Sequence, residues 1–172
     1  MRIRDYQPSD APLLAALYSR SVLAIGPRFY TPEQVAAWAA QAPTVERIRQ
    51  AYTDGRVALV AADDDDRPLA FSDVEPDGHI NFLYCAPEAA GRGVVSALID
   101  ELEARAVALG YPYLHVEASE AARPVFLRRG FTLLARRDLR IGTVPIHNYA
   151  MEKRLGEAAG VTRGVAPSPA SG

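Results

Sequence analysis

Residues 79–110 put a short apolar strand, a glycine turn and a long amphipathic helix in immediate succession, and this order constrains the fold more than any other stretch. The run HINFLYC reads as a strand ending at Cys85, and Pro87 follows it. From Val95 the apolar positions Leu98, Ile99, Leu102, Ala106 and Leu109 recur at helical spacing until Gly110 and Pro112 stop them. Between strand and helix, Gly91 and Gly93 flank Arg92. Glycines there let backbone N–H groups approach an anion at the positive end of a helix dipole; the alternative is a plain tight helix entry. Nucleotide-binding words do not fit, because Gly93 is followed by Val94, Val95 and Ser96 rather than a GxGxxG continuation, and no GKS or GKT occurs.

The remaining punctuation gives the order of elements. MRIRDY reads as an opening strand, closed by Pro8 with Ser9 or Asp10 as a cap, and Leu13, Leu14, Leu17, Val22 and Ile25 follow at helical spacing up to Gly26-Pro27. Thr31, Pro32 and Gln34 form a capping box with proline at the first helical position, and TVERIRQAYTDG reads as a further short helix. RVALVAAD, PLAFSDVE and HINFLYC make an antiparallel meander, with Asp63 to Asp66 as a solvated turn in preference to a cation site. After the long helix come the strand YLHVEA, the short helix SEAARPVFLRRG and two closing strands, FTLLARRDL and VPIHNYAMEKRL. Residues 156–172 are small, Pro/Gly/Ser-rich and aperiodic, which predicts a disordered tail. This order predicts an α+β fold with a mixed sheet.

Composition narrows the partners. Nineteen Lys and Arg against 21 Asp and Glu leave a net charge of −2, so no general basic field attracts nucleic acid or an anionic membrane. Cys85 is the only cysteine, which excludes an intrachain disulfide and fits a reducing cytoplasm. The opening residues hold no apolar signal core and no stretch is apolar enough for a membrane span, so a soluble cytoplasmic protein is expected.

The segment from Ile80 through Phe131, with ARPVFLRRGF and NYAMEKRL as its later words and PRFYTPEQVAAWA ahead of it, resembles the GNAT superfamily of acyl-CoA-dependent N-acetyltransferases, in its YafP-like branch. The resemblance spans residues 1–155, taken as one acetyltransferase domain. It implies a three-layer fold with a central, mostly antiparallel, splayed mixed sheet of about seven strands flanked by helices. It implies acetyl-CoA as cosubstrate and no metal, with the pantetheine arm on the backbone of Leu83, Tyr84 and Cys85. The pyrophosphate would rest on the turn and first helical residues Gly91, Arg92, Gly93, Val94, Val95 and Ser96. It implies direct transfer to a primary amine of a small molecule or peptide; a homodimer is compatible with it.

This sequence departs from the family pattern at three points. Ala90 stands where a polar residue tethers the turn, Val95 where a small residue usually lies, and Phe126 where a tyrosine protonates the departing thiolate. Ser119, Tyr84 and Tyr149 are the hydroxyls left as substitutes, and the loss of the acid raises a second reading, an acyl-CoA-binding sensor or docking module. Counting back from Cys85 by twos puts Leu83, Asn81 and His79 on one face, His79 as a base or merely solvated after the PDG turn, Asn81 as a holder of water. Arg123 is read as a contact to CoA phosphate or an exposed residue, Cys85 as packing in preference to a nucleophile, and Trp38 as core in preference to a substrate platform. The RFYTPEQ loop is a candidate lid, and Asp73 and Glu75 are expected to point outward in preference to attracting an amine.

Overall fold

Seven strands form one sheet in the order β1-β2-β3-β4-β5-β7-β6, described by a computed structural model over residues 1–156. The predicted tail falls, from residue 157 on, outside the described residues. Strand β1 (Arg2–Asp5) leads into α1 (Ala11–Ile25), whose Leu14, Leu17, Tyr18 and Val22 are buried while Leu13 is exposed. Asp10 does not cap α1 with its side chain. It reaches back to accept the Gln7 N–H at 2.8 Å and takes a two-pronged ion pair from Arg4 at 2.8 and 2.9 Å.

Helix α2 (Pro32–Ala39) begins as the capping box predicts, with Gln34 N–H donating to Thr31 Oγ1 and Thr31 N–H to Gln34 Oε1. Helix α3 (Val45–Ala51) is capped by Thr44, whose Oγ1 accepts the Arg47 N–H at 3.1 Å without a return bond. Strands β2 (Val57–Ala62), β3 (Pro68–Val74) and β4 (His79–Cys85) form the antiparallel meander. Its first turn is built by the acidic run, in which Asp63 Oδ1 accepts the N–H groups of Asp65 and Arg67 and Asp66 pairs with Arg2 and Arg4.

Helix α4 (Val94–Ala108) buries Val94, Leu98, Ile99, Leu102 and Ala106; Leu109 lies past its end and is exposed. Both α1 and α4 pack on β3, so residues 70–74 are buried on both faces. Strand β5 (Tyr113–Ala118), helix α5 (Arg123–Arg128) and the hairpin β6 (Thr132–Ile141) and β7 (Val144–Arg154) complete the chain. No helix among the described residues is long and apolar enough to cross a membrane.

The one parallel pair, β4 with β5, decides where a ligand can enter. It is joined only at His79 opposite His115 and Ile80 opposite Val116, after which the strands diverge. Gly78 closes the joined end. Its φ is +89°, and a Cβ there would lie 2.4 Å from the Tyr113 carbonyl oxygen, while its own carbonyl accepts the His115 N–H at 3.0 Å. Gly78→Ala combines a left-handed backbone with a backbone clash, and a loss of about 2–4 kcal/mol is expected in a denaturant melt.

Candidate active site

The divergence of β4 begins at a bulge. Ser72 pairs with Leu83 and Val74 with Ile80, so Asn81 and Phe82 together oppose the single residue Asp73. The ladder groups that the bulge displaces are taken up by β3 side chains. Phe82 N–H donates to Asp73 Oδ1 at 2.7 Å, and Ser72 Oγ donates to the Phe82 carbonyl at 2.6 Å. Asp73 is held in turn by Arg56 Nη1 at 2.7 Å.

Asp73 therefore does not point outward, as strand alternation suggested, but is fully buried. Burial pushes its carboxyl upward, against the Arg56 guanidinium and the Phe82 N–H, which favour the charged form. The bulge also breaks the count by twos: paired residues share a face, so Ile80 joins Leu83 and Cys85 while His79 turns to the opposite side.

Beyond the Ile80–Val116 pair the strands bound a cleft of about 450 Å³. One wall is Asn81, Leu83, Tyr84 and Cys85, the other Val116, Glu117, Ala118 and Ser119, with Phe126 of α5 and Val22 and Ile25 of α1 closing it. The glycine turn forms one end through Gly91, Gly93, Val94, Val95 and Ser96. Gly91 and Gly93 have φ of +76° and +82° with nothing within 4 Å of an added Cβ, so glycine is needed there for conformation rather than for room. Ala97 N–H bonds back to Gly93 O at 3.0 Å, and the amides preceding it belong to the first turn of a fifteen-residue helix, where no intrahelical acceptor exists.

Of the residues singled out from sequence, the cleft gathers Trp38, Asn81, Leu83, Tyr84, Cys85, Gly91, Gly93, Val94, Val95, Ser96, Ser119 and Phe126; His79, Arg92, Arg123 and Tyr149 are not on its lining. Phe126 is fully buried and packs edge-on against Phe131. Tyr84 packs on Tyr18 and Phe71, and burial pushes its phenol well above the ordinary range. Ser119 Oγ accepts the Ala122 N–H at 3.2 Å, which leaves its own proton free for donation. Burial pushes the Cys85 thiol up to about 11, so little thiolate exists at neutral pH. Cys85 is accordingly expected to react with a thiol reagent at pH 7.5 only after unfolding, as a colorimetric thiol titration with and without denaturant will show.

Arg123 turns elsewhere: it pairs with Glu120 at 3.1 Å and lies 4.3 Å over the Tyr149 ring. Glu120 also accepts from Tyr149 Oη and from His147 Nε2, and its N–H donates to Tyr30 Oη at 2.9 Å. Burial raises the Glu120 carboxyl, and these hydrogen bonds together with Arg123 more than reverse that, leaving it below the usual range. The RFYTPEQ segment is thus fastened to the β5–α5 loop at Glu120 and to β7 at His147 through buried Tyr30, while partly buried Trp38 packs against Tyr30 and, with Phe29, lines the cleft.

His79 sits behind the cleft wall. Its Nε2 is 2.7 Å from Glu117 Oε2 and its Nδ1 is 2.9 Å from Glu75 Oε2. Burial alone would lower its pKa, but the two carboxylates outweigh that and raise it above the ordinary histidine value. Glu117 lines the cleft, so it links the open space to the imidazole. Sequence reasoning passed over Glu117 and His115, although YLHVEA places them on one face two residues apart. The missing information was the parallel register that sets His115 beside His79.

A mixed sheet with an opened parallel pair and a glycine turn at a helix N-terminus in the gap is the architecture of an acyltransferase of the acetyl-CoA-using kind, and comparison with known proteins agrees. Residues 28–153 match the family model described as an acetyltransferase (GNAT) domain. The chain is 34% identical over 132 residues to the uncharacterized N-acetyltransferase YafP of Escherichia coli K12, covering 76% of this chain and 81% of YafP. Among solved structures, a GCN5-related N-acetyltransferase from Rhodopseudomonas palustris superposes with a TM-score of 0.81 at 32% identity, covering 90% and 95% of the two chains. A phosphinothricin acetyltransferase from Sinorhizobium meliloti, solved with AcCoA, shares the fold at a TM-score of 0.71 and 22% identity, covering 96% and 95%. The chain belongs to the GNAT acetyltransferases, in the branch that includes YafP.

Proposed function

We propose that this protein transfers an acetyl group from acetyl-CoA to a primary amine of a small molecule or peptide, by direct attack in a ternary complex. The observation that carries this reading is the divergence of β4 from β5 at the bulge, which opens one cleft running from the glycine turn to Glu117. The pyrophosphate is held by the amides of Gly91 to Ser96 and the pantetheine arm by the backbone of Leu83, Tyr84 and Cys85, so no metal is needed for binding. The amine nitrogen attacks the thioester carbonyl, a C–N bond forms and the C–S bond breaks. The proton leaves the amine toward Glu117 and the neutral His79 imidazole behind it, with Asn81 orienting a water on the cleft wall.

Phe126 offers no proton to the thiolate, and Ser119 is the hydroxyl on the cleft best placed to offer one. Ser119→Ala is therefore expected to lower kcat by roughly 10- to 100-fold, the equivalent of about 1–3 kcal/mol, with little change in acetyl-CoA affinity. Steady-state kinetics set beside a binding titration check this. The buried, reduced Cys85 suits a cytoplasmic setting. An amine panel assayed for release of free CoA thiol tests the reading as a whole. Turnover with at least one amine is the expected result, whereas tight acetyl-CoA binding without turnover, favoured by Phe126, would make the protein an acyl-CoA sensor.

A further inference from the structure

We infer that His79, His115 and Glu117 form a binding site for a divalent transition-metal ion, Zn²⁺ foremost, on the sheet face behind the acetyl-transfer cleft. Parallel pairing sets His79 directly beside His115, and their rings stack with centroids 5.0 Å apart at 22°. Glu117 follows two residues later on the same face, and one ligating atom from each of the three lies within 4.8 Å of the others. The bulge is what brings His79 to this face, since the undistorted count would have sent it to the other.

The surroundings resemble those of a metal-binding histidine more than those of a lone surface one. Glu75 engages His79 Nδ1, which leaves Nε2 to point at Glu117, the carboxylate-histidine arrangement that fixes a ligating nitrogen. Arg56 holds the other oxygen of Glu75 at 3.0 Å. Arg137 holds Glu117 Oε1 at 2.7 Å, leaving Oε2 for the ion. Asp77 stands 3.9 Å from His115 Nε2 and adds negative charge.

Metal–nitrogen bonds of ~2.0–2.1 Å put tetrahedral ligand atoms about 3.3 Å apart, so closure needs a shift of roughly 1.5 Å. The three side chains are 22%, 31% and 34% exposed and have room for it. Two imidazoles and one carboxylate suit Zn²⁺ and its neighbours and leave a coordination position to water, whereas Mg²⁺ and Ca²⁺ want all-oxygen shells. An ion on His79 Nε2 takes the lone pair that would accept the amine proton. This consequence, unlike the site itself, rests on the proposed acetyl transfer.

The test is Zn²⁺ binding to the full chain, stripped of metal and free of acetyl-CoA, by competition with a chromophoric chelator, together with histidine imidazole NMR. One equivalent is expected to bind, with His79 and His115 resonances shifting and those of His147 unmoved. His115→Ala and Glu117→Ala are each expected to weaken binding by about 10- to 100-fold and His147→Ala to leave it unchanged, with circular dichroism confirming the fold. Absence of stoichiometric binding, binding that His115→Ala leaves intact, or shifts centred on His147 would each overturn the site, and would show the cluster to be an ion-pair network alone. Because no acyl donor is present, failure here leaves the acetyl-transfer reading untouched, and failure of CoA turnover leaves the metal site untouched.

Discussion

Asp73→Ala is expected to destabilise the protein by about 3–5 kcal/mol, the cost of removing one partner from a buried ion pair. The residue is fully buried, and its loss strands the Phe82 N–H and uncouples Arg56, which would keep the exposed Asp54 and the partly exposed Glu75. For a domain of this size the melting temperature should fall by roughly 2–4 °C per kcal/mol. The effect reaches function because Asp73 and Ser72 absorb the displaced backbone of the bulge, and without them β4 would gain by straightening against β3. Asp73→Asn separates the two contributions, since its carbonyl still accepts the Phe82 N–H while the charge facing Arg56 is gone. Thermal denaturation of the two variants beside the parent measures the pair and the bulge contact independently.

The second large effect is at His79. If it takes the amine proton, His79→Ala should lower kcat by about 10²- to 10⁴-fold, the usual worth of a positioned base. The pH profile distinguishes this from a structural role. The base acts in its neutral form and its pKa is raised, so kcat/KM of the parent should climb with pH and level off only above the ordinary histidine value of ~6.5. In His79→Ala that limb should vanish, and retention of an unchanged limb would remove His79 from the mechanism. Stability moves the other way. The bonds to Glu75 and Glu117 favour charged His79, so their contribution is full below the unfolded pKa and is lost as pH rises through the raised folded one.

Much of the architecture was legible because local chemistry dictates it. Thr31, Pro32 and Gln34 start α2, and Gly110 with Pro112 stops the chain after α4, so helix ends follow from neighbours in sequence. The strand, turn and helix from Leu83 to Ser96 were legible as elements for the same reason, whereas their assignment to a ligand came from the family resemblance. What escaped was the exact register between distant segments and the side-chain partners that register brings together. PLAFSDVE alternates cleanly, and nothing within it shows that Asp73 meets Arg56 seventeen residues earlier and a bulge nine residues later. That bulge in turn reverses the face of His79, so an alternation count from Cys85 fails beyond Leu83. Arg123 shows the same limit in part, because Glu120 is three residues away in sequence whereas Tyr149 reaches it only from β7.

In the proposed reaction the turn from Gly91 to Ser96 holds the pyrophosphate of acetyl-CoA at the mouth of the β4–β5 cleft. Ser96→Glu tests it most directly, because a carboxylate in the first turn of α4 favours the helix dipole and so preserves the fold, yet it repels an anion at that position. Calorimetric titration should show one acetyl-CoA site on the parent and affinity weakened by about 100-fold or more in Ser96→Glu, equivalent to roughly 2.7 kcal/mol, at an unchanged or slightly raised melting temperature. Equal affinity in the two proteins, or no binding to the parent, would show that the turn does not hold the pyrophosphate.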